Sequence, residues 1–291
     1  MYMRANPATG AGARIQLLIA AVLFSTGGAA IKAVSLNAWQ VTAFRCAVAA
    51  LTLLLFLPET RRGWSWRLLP VALAYAATML FFVAGNKLTT AANTIFLQST
   101  APLYLLFLSP LLLGERLRRE DIWFLFALAG GMTLFFLRPE AATETAPNPL
   151  LGNIFGAGAG LTWACTLLGL RWLGGTGGAD GASLIRAVVA GNATAFVLCA
   201  YWAFPVVESS PSDWYFIVYL GAIQIGLAYV LVTSGLKRVP ALEASLILLV
   251  EPVLNPLWAW LMHDERPGAL ALTGGAIIAG ATCLRIWQQR R

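Results

Sequence analysis

Ten apolar stretches joined mostly by short polar connections leave this chain few ways to fold. They run approximately over Ile15–Val34, Ala38–Leu57, Arg67–Leu88, Ala91–Leu113 and Ile122–Leu137 in the first half. The second half adds Leu150–Leu173, Ala182–Phe204, Trp214–Leu236, Ala241–His263 and Ala269–Trp287. A hydrocarbon core about 30 Å thick takes roughly 20 apolar residues to cross as a helix. Within it only helices and closed barrels satisfy their own backbone. The stretches lack the period-two alternation of barrel strands, so helices are expected. Composition agrees: 59% of residues are hydrophobic, 11% are charged, and the mean hydropathy is +0.73. That is too apolar for a soluble domain of this length.

The two halves carry matching segments 150 residues apart, one starting at Gly85 and the other at Gly235. Without a gap, Lys87 meets Lys237, Ala91 meets Ala241, Pro102 meets Pro252, Leu111 meets Leu261, and Glu115–Arg116 meets Glu265–Arg266. The register continues to Ala129–Gly130 and Ala279–Gly280. In so apolar a background the paired Pro, Gly and charged positions carry the argument. Internal duplication in a membrane chain points to a transporter with its site between the halves. The expected organisation is a five-helix repeat over 14–137, a polar linker over 138–149 (RPEAATETAPNP starts at Arg138), and a second repeat over 150–287.

The basic residues set the orientation. Ten crossings put both termini on one face, together with Arg4, Arg14, Arg61, Arg62, Arg67, Arg116, Arg118, Arg119, Arg171, Lys237, Arg238, Arg285, Arg290 and Arg291. The other face holds only Lys32, Lys87, Arg138 and Arg266. By the positive-inside rule both termini are cytoplasmic, and the second half enters the membrane from the opposite side to the first. The fold class expected is therefore all-α, with ten transmembrane helices in two inverted five-helix repeats. The net charge of +7 reflects topology, and no nucleic-acid partner is needed to explain it. Arg14 and the apolar run after it resemble a secretion signal, yet nine further spans follow, so an uncleaved first span is expected.

The run Gly85–Leu134, with its AAN, Pro102, GER (Gly114–Arg116) and FALAGGMTLFF (from Phe126), resembles the EamA family of the drug/metabolite transporter superfamily. EPV (Glu251–Val253), DER (Asp264–Arg266) and GGAIIAG (from Gly274) resemble the same domain again, so the likeness covers nearly the whole chain. The resemblance implies two inverted five-helix repeats exporting amino acids and other small metabolites. It also implies a central cavity, with the fifth and tenth helices at the periphery. The chain departs from the family pattern at Phe24 in LFSTG, where a Trp is commoner; the equivalent Trp163 in LTWAC keeps it.

Physical reading of the spans gives the site candidates. Pro102 and Pro252 fall mid-span, where each removes a helical hydrogen bond and kinks its helix toward a cavity. Thr94, Gln98, Ala101 and Leu105 share one face, and the equivalent face of the ninth span carries Ala244, Leu248, Glu251 and Asn255. Glu251 is the one carboxylate deep in a span, which suits proton coupling or a substrate amine. Gln98, Asn255, Trp163, Phe24, Tyr75 and Tyr229 are candidates for a pocket suited to a small zwitterion with an apolar side chain. Arg45 and Arg186 align across the halves and are expected to be structural, snorkelling to the interface or pairing with helix-end carbonyls. Small residues at Ala127–Gly131 and Gly274–Ala281 are expected to mediate packing, and the chain is expected to be a monomer or a homodimer.

Other classes fare worse. The sole histidine, His263, sits at a span end, and no metal-ligand spacing, paired intramembrane carboxylate or phosphate loop is present, which disfavours an enzyme and any metal or cofactor. Cys46, Cys165, Cys199 and Cys283 read as core residues. The expected protein is a multi-pass carrier of the cytoplasmic (inner) membrane, with amino acids or related metabolites as cargo and cationic drugs as the competing cargo. Reporter fusions test the topology. A green fluorescent protein fused after Arg291 is expected to fluoresce, whereas alkaline phosphatase is expected to be active when inserted in the 138–149 connection and inactive when fused after Arg291; the reverse pattern would invert the assignment.

Overall fold

The computed structural model describes residues 7–113, 119–137, 140–175, 181–236, 238–239 and 241–288. Among these the protein is helical, with no strand. The helices are α1 (Pro7–Ser25), α2 (Gly27–Lys32), α3 (Ala38–Phe56), α4 (Leu68–Leu88), α5 (Ala91–Gln98), α6 (Ala101–Leu113) and α7 (Arg119–Leu137). The second half comprises α8 (Pro149–Gly175), α9 (Gly181–Ala203), α10 (Pro211–Val218), a π-helical stretch Tyr219–Leu227, α11 (Ala228–Leu236), α12 (Ala241–Leu248), α13 (Val250–His263) and α14 (Ala269–Gln288). Nine described runs are long and apolar enough to cross a bilayer, and Ile122–Leu137 is a shorter tenth. Large apolar side chains such as Leu55, Phe56, Leu111, Phe126 and Tyr201 stand on the outer surface, as lipid requires.

The ten spans are therefore assembled from more than ten helices. The fourth breaks at Ser99–Thr100 and the ninth at Leu249, each just before its proline. Proline cannot bond the carbonyl four residues back, and its ring clashes with that carbonyl. In the fourth span the loosened turn is satisfied locally: Ser99 Oγ donates to Ile95 O at 2.7 Å and Thr100 Oγ1 to Leu97 O at 2.6 Å. The first span breaks at Thr26, where no proline stands.

The halves interlock. The first span lies against the eighth and ninth, while the third and fourth lie against the sixth. The third span also packs on the seventh, as does the second. The central helices of each half thus meet those of the other, and the midline is an interface between repeats. The fifth and tenth spans pack on each other at the side. There the small residues meet within the chain: a Cβ on Gly131 would lie 3.0 Å from Gly274 O. That glycine contact is used internally. The 138–149 connection is more than a tether, because Asn148 N donates to Leu88 O and Glu140 accepts from Gly268 N.

Gly160 shows why the sixth span can lie against the break in the fourth. A Cβ there would fall 2.8 Å from Leu97 O and 3.2 Å from Gln98 O. Only glycine lets the helix backbone come this close. Gly160→Val is expected to cost about 1–3 kcal/mol of stability through overpacking. A thermal melt of the purified variant in detergent checks this, and an unchanged melt would mean the contact has slack.

Candidate transport site

The break in the first span opens its backbone inside an apolar run, and the second half of the chain closes around it. Gln224 Nε2 donates to Phe24 O at 3.3 Å, Thr26 Oγ1 and Tyr219 Oη lie 2.8 Å apart, and Trp258 Nε1 donates to Ser25 Oγ at 2.9 Å. Ser25 and Thr26 in turn donate to Val22 O and Leu23 O, so their own hydroxyls serve the freed carbonyls. The polar partners come from the π-helical stretch and the ninth span.

Beside this break stands an aromatic cluster contributed by four spans. Phe24 meets Tyr229 edge-on with ring centroids 5.3 Å apart, and Tyr75 lies 6.5 Å from both Tyr229 and Trp163. Tyr75 is buried, and its hydroxyl accepts from Asn192 Nδ2 at 3.2 Å. Tyr75, Trp163 and Tyr229 line a cavity of about 20 Å³ together with Val71, Thr166, Leu170, Ala187 and Val188. That is room for roughly one water. The rings are packed close together, leaving no room for an organic molecule between them.

Two ionisable side chains act on the cluster. Tyr229 lies within electrostatic range of both the Glu251 carboxyl and the Arg45 guanidinium. Glu251 is partly buried in the first turn of α13, directly after the break in the ninth span. Arg45 is 1% exposed, so the expected snorkelling is overturned: its side chain turns into the protein. Arg186 does reach the terminal face, where its Nη1 donates to Gly63 O at 2.8 Å.

The face that carries the linker is closed by polar contacts. Lys32 and Glu265 form an ion pair at 2.7 Å with side chains 3% and 2% exposed. Lys32 Nζ donates to Thr89 O and Thr145 O, while Glu265 Oε2 accepts from Ala91 N, and the Oε1 contact is ionic without hydrogen-bond geometry. Lys87 donates to Val34 O. Ser35 N and Oγ each donate to Asp213 at 2.6 Å, and His263 Nε2 lies 2.8 Å from Ala29 O. At the terminal face, by contrast, the Arg14–Glu243 pair at 2.6 Å is exposed. A second cavity of about 350 Å³, lined by Asn93, Phe135, Glu140 and Gly268, lies at the side between the fifth and tenth spans, away from the aromatic cluster.

Of the sequence candidates, Phe24, Tyr75, Trp163, Tyr229 and Glu251 converge. Pro102 and Pro252 follow the two breaks. Gln98 ends α5 at the fourth-span break, half-buried, its carbonyl facing Gly160. Asn255 lies elsewhere: fully buried, with both amide atoms unpartnered, it faces Gly28 beside Asn86 on the linker side. Sequence reading missed Lys32, Asn192, Tyr219, Gln224 and Trp258. Asn192 and Gln224 are polar residues inside apolar runs, a signal that was present; nothing local marks Lys32 as the partner of Glu265.

A multi-pass membrane carrier built from two repeated helical units is what this architecture and site define. The EamA-like transporter family profile matches residues 13–137 and 150–287, and the chain belongs to that family. It is 25% identical over 284 residues to the "Pseudopaline exporter CntI" of Pseudomonas aeruginosa, covering 94% of this chain and 95% of that one. It is 27% identical over 216 residues to the "Aromatic amino acid exporter YddG" of Ancylobacter novellus, covering 72% of each. A protein of known crystal structure shares the fold at a TM-score of 0.62 and 20% identity, over 94% of this chain and 97% of that one. The chain is accordingly a multi-pass membrane protein of a transporter family.

The buried pair on the linker side yields a test. Lys32→Met leaves Glu265 without its counter-ion and is expected to cost about 3–5 kcal/mol. Combining it with Glu265→Gln is expected to recover most of that loss. Thermal melts of the single and double variants read the difference; equal losses in both would rule out an ionic role.

Proposed function

We propose that this protein exports amino acids, or closely related zwitterionic metabolites with an apolar side chain, from the cytoplasm across the inner membrane. The observation that carries the reading is the aromatic cluster of Phe24, Tyr75, Trp163 and Tyr229 beside Glu251, at the interface between inverted halves. The rings offer faces to an apolar side chain, and the carboxylate offers a partner for an ammonium group. Two relatives bear the names of exporters, one of them for aromatic amino acids, which supports the cargo class.

Alternating access supplies the mechanism. With the linker face held by Lys32–Glu265, cargo enters from the terminal, cytoplasmic face and parts the rings around the small cavity. Release follows when the linker-side contacts open and the terminal side closes. A lone carboxyl in a low-dielectric site carries a proton when no cation neutralises it. Cargo ammonium displaces that proton, so cargo leaving and a proton entering share Glu251, which makes the carrier an antiporter.

Proteoliposomes containing the full chain test this, with radiolabelled neutral and aromatic amino acids and with or without a pH gradient. Saturable flux accelerated by the gradient is expected. Glu251→Gln is expected to abolish the response to the gradient, and Trp163→Ala to cut flux at least about tenfold while the protein elutes as a folded species. Flux of cationic dyes without flux of any amino acid would instead assign a cationic cargo. Normal transport by Glu251→Gln at every pH would remove its coupling role.

A further inference from the structure

Among the described residues, Arg45 is a fully buried charge with little to satisfy it. Arginine stays protonated under all ordinary conditions and presents five N–H donors in a planar fork. Here the side chain is 1% exposed, and its described hydrogen bond is from Nη2 to the Met79 thioether sulfur at 3.3 Å. The Cys46 thiol lies beside it, and Nε has no acceptor. Two sulfur atoms are weak acceptors and carry no compensating charge. No described ion pair joins Arg45 to Glu251. An enclosed guanidinium whose described hydrogen bond goes to a sulfur is far from balanced in hydrocarbon.

Its position explains what would balance it. Met79, which holds Nη2, packs in the same cluster as Tyr75, Trp163 and Tyr229. Tyr229 stands in the field of both Arg45 and Glu251. The guanidinium of Arg45 and the carboxyl of Glu251 therefore both act on one ring of the aromatic cluster, with no described ion pair between them. A zwitterion with an apolar side chain matches all three elements: carboxylate to Arg45, ammonium to Glu251, side chain among the rings. We infer that Arg45 is the receptor for a cargo carboxylate, which restricts the cargo of this carrier to carboxylate-bearing molecules and excludes simple amines. This rests on the amino-acid reading above and sharpens it. Met79 and Cys46 then act as placeholders, weak enough as acceptors to be exchanged for a bidentate carboxylate when the rings part.

Matched compounds separate the possibilities. Flux of radiolabelled L-phenylalanine into proteoliposomes of the full chain is measured against unlabelled L-phenylalanine, L-phenylalaninamide and phenethylamine as competitors. The free acid is expected to compete about 10- to 100-fold better than the amide or the amine, the range for losing hydrogen bonds to a charged group. Arg45→Met is expected to raise the KM for phenylalanine by a similar factor and to abolish the preference for acid over amide. Arg45→Lys, which keeps the charge for folding but loses the fork, is expected to retain part of the preference. Glu251→Gln is expected to keep the acid-over-amide preference, since it acts at the other end of the cargo.

Equal competition by acid and amide in the wild-type protein overturns the inference while leaving amino-acid export standing. So does an unchanged phenylalanine KM in Arg45→Met. Restoration of transport in the neutral pair Arg45→Met with Glu251→Gln overturns it too, because Arg45 would then serve only as partner to Glu251. Folded wild-type protein that moves cationic dyes but no carboxylate overturns both this inference and the proposed function.

Discussion

A lysine ammonium and a glutamate carboxylate, 2.7 Å apart and sealed from solvent, tie together four turns of the chain that are remote in sequence. Lys32 ends the first span, and its protons reach the turn between the third and fourth spans and the connection between the halves. Glu265 brings in the turn between the ninth and tenth spans and also accepts from Ala91 N, at the start of α5. Such a pair does little for stability unless every remaining donor and acceptor is served. Here the carbonyls of Thr89 and Thr145 and the amide of Ala91 do much of that work. The linker side is tied together through this buried pair, whereas the described Arg14–Glu243 pair of the terminal side is exposed.

The collapsed site follows from where the helices break. Hydrocarbon offers no partner to a freed carbonyl, so each break needs a neighbour that carries hydrogen-bond donors or lacks bulk. The break in the first span takes Gln224, Tyr219 and Trp258 from the other half. The break in the fourth takes its own hydroxyls and a bare glycine surface. Breaks and cavity are thus one feature: the irregular backbone draws polar residues to the midline, and the rings fill what remains.

Much of this was legible in the chain. The spans follow from apolar length alone, because no other structure satisfies a backbone in lipid. Pro102 and Pro252 marked two breaks within a few residues, since proline acts on the turn before it. The depth of Glu251 and Arg45 could be counted along their helices. Direction could not: Arg45 turns inward among Met79 and Cys46, and only tertiary packing decides that. The break at Thr26 has no proline, and it is stabilised by residues about 200 positions away in sequence. Asn255 shares a helix face with Glu251, yet one turn of helix carries it to a different neighbourhood beside Gly28. The glycine stripes at Gly131 and Gly274 were readable as packing surfaces, but which surface each would meet was a matter of topology.

The π-helical stretch Tyr219–Leu227 has no counterpart in the first half, where the equivalent third span runs as one α-helix from Leu68 to Leu88. The two repeats are therefore pseudo-two-fold partners in topology and unequal in mechanics. A wider, less regular turn lets one side bend where the other must pivot. In the alternating-access cycle proposed above, the two end states then differ in free energy, and the empty carrier has a preferred side on which to wait. That preference sets dwell times and the step that limits turnover. It cannot set the direction of net flow, which belongs to the gradients that load and unload the site.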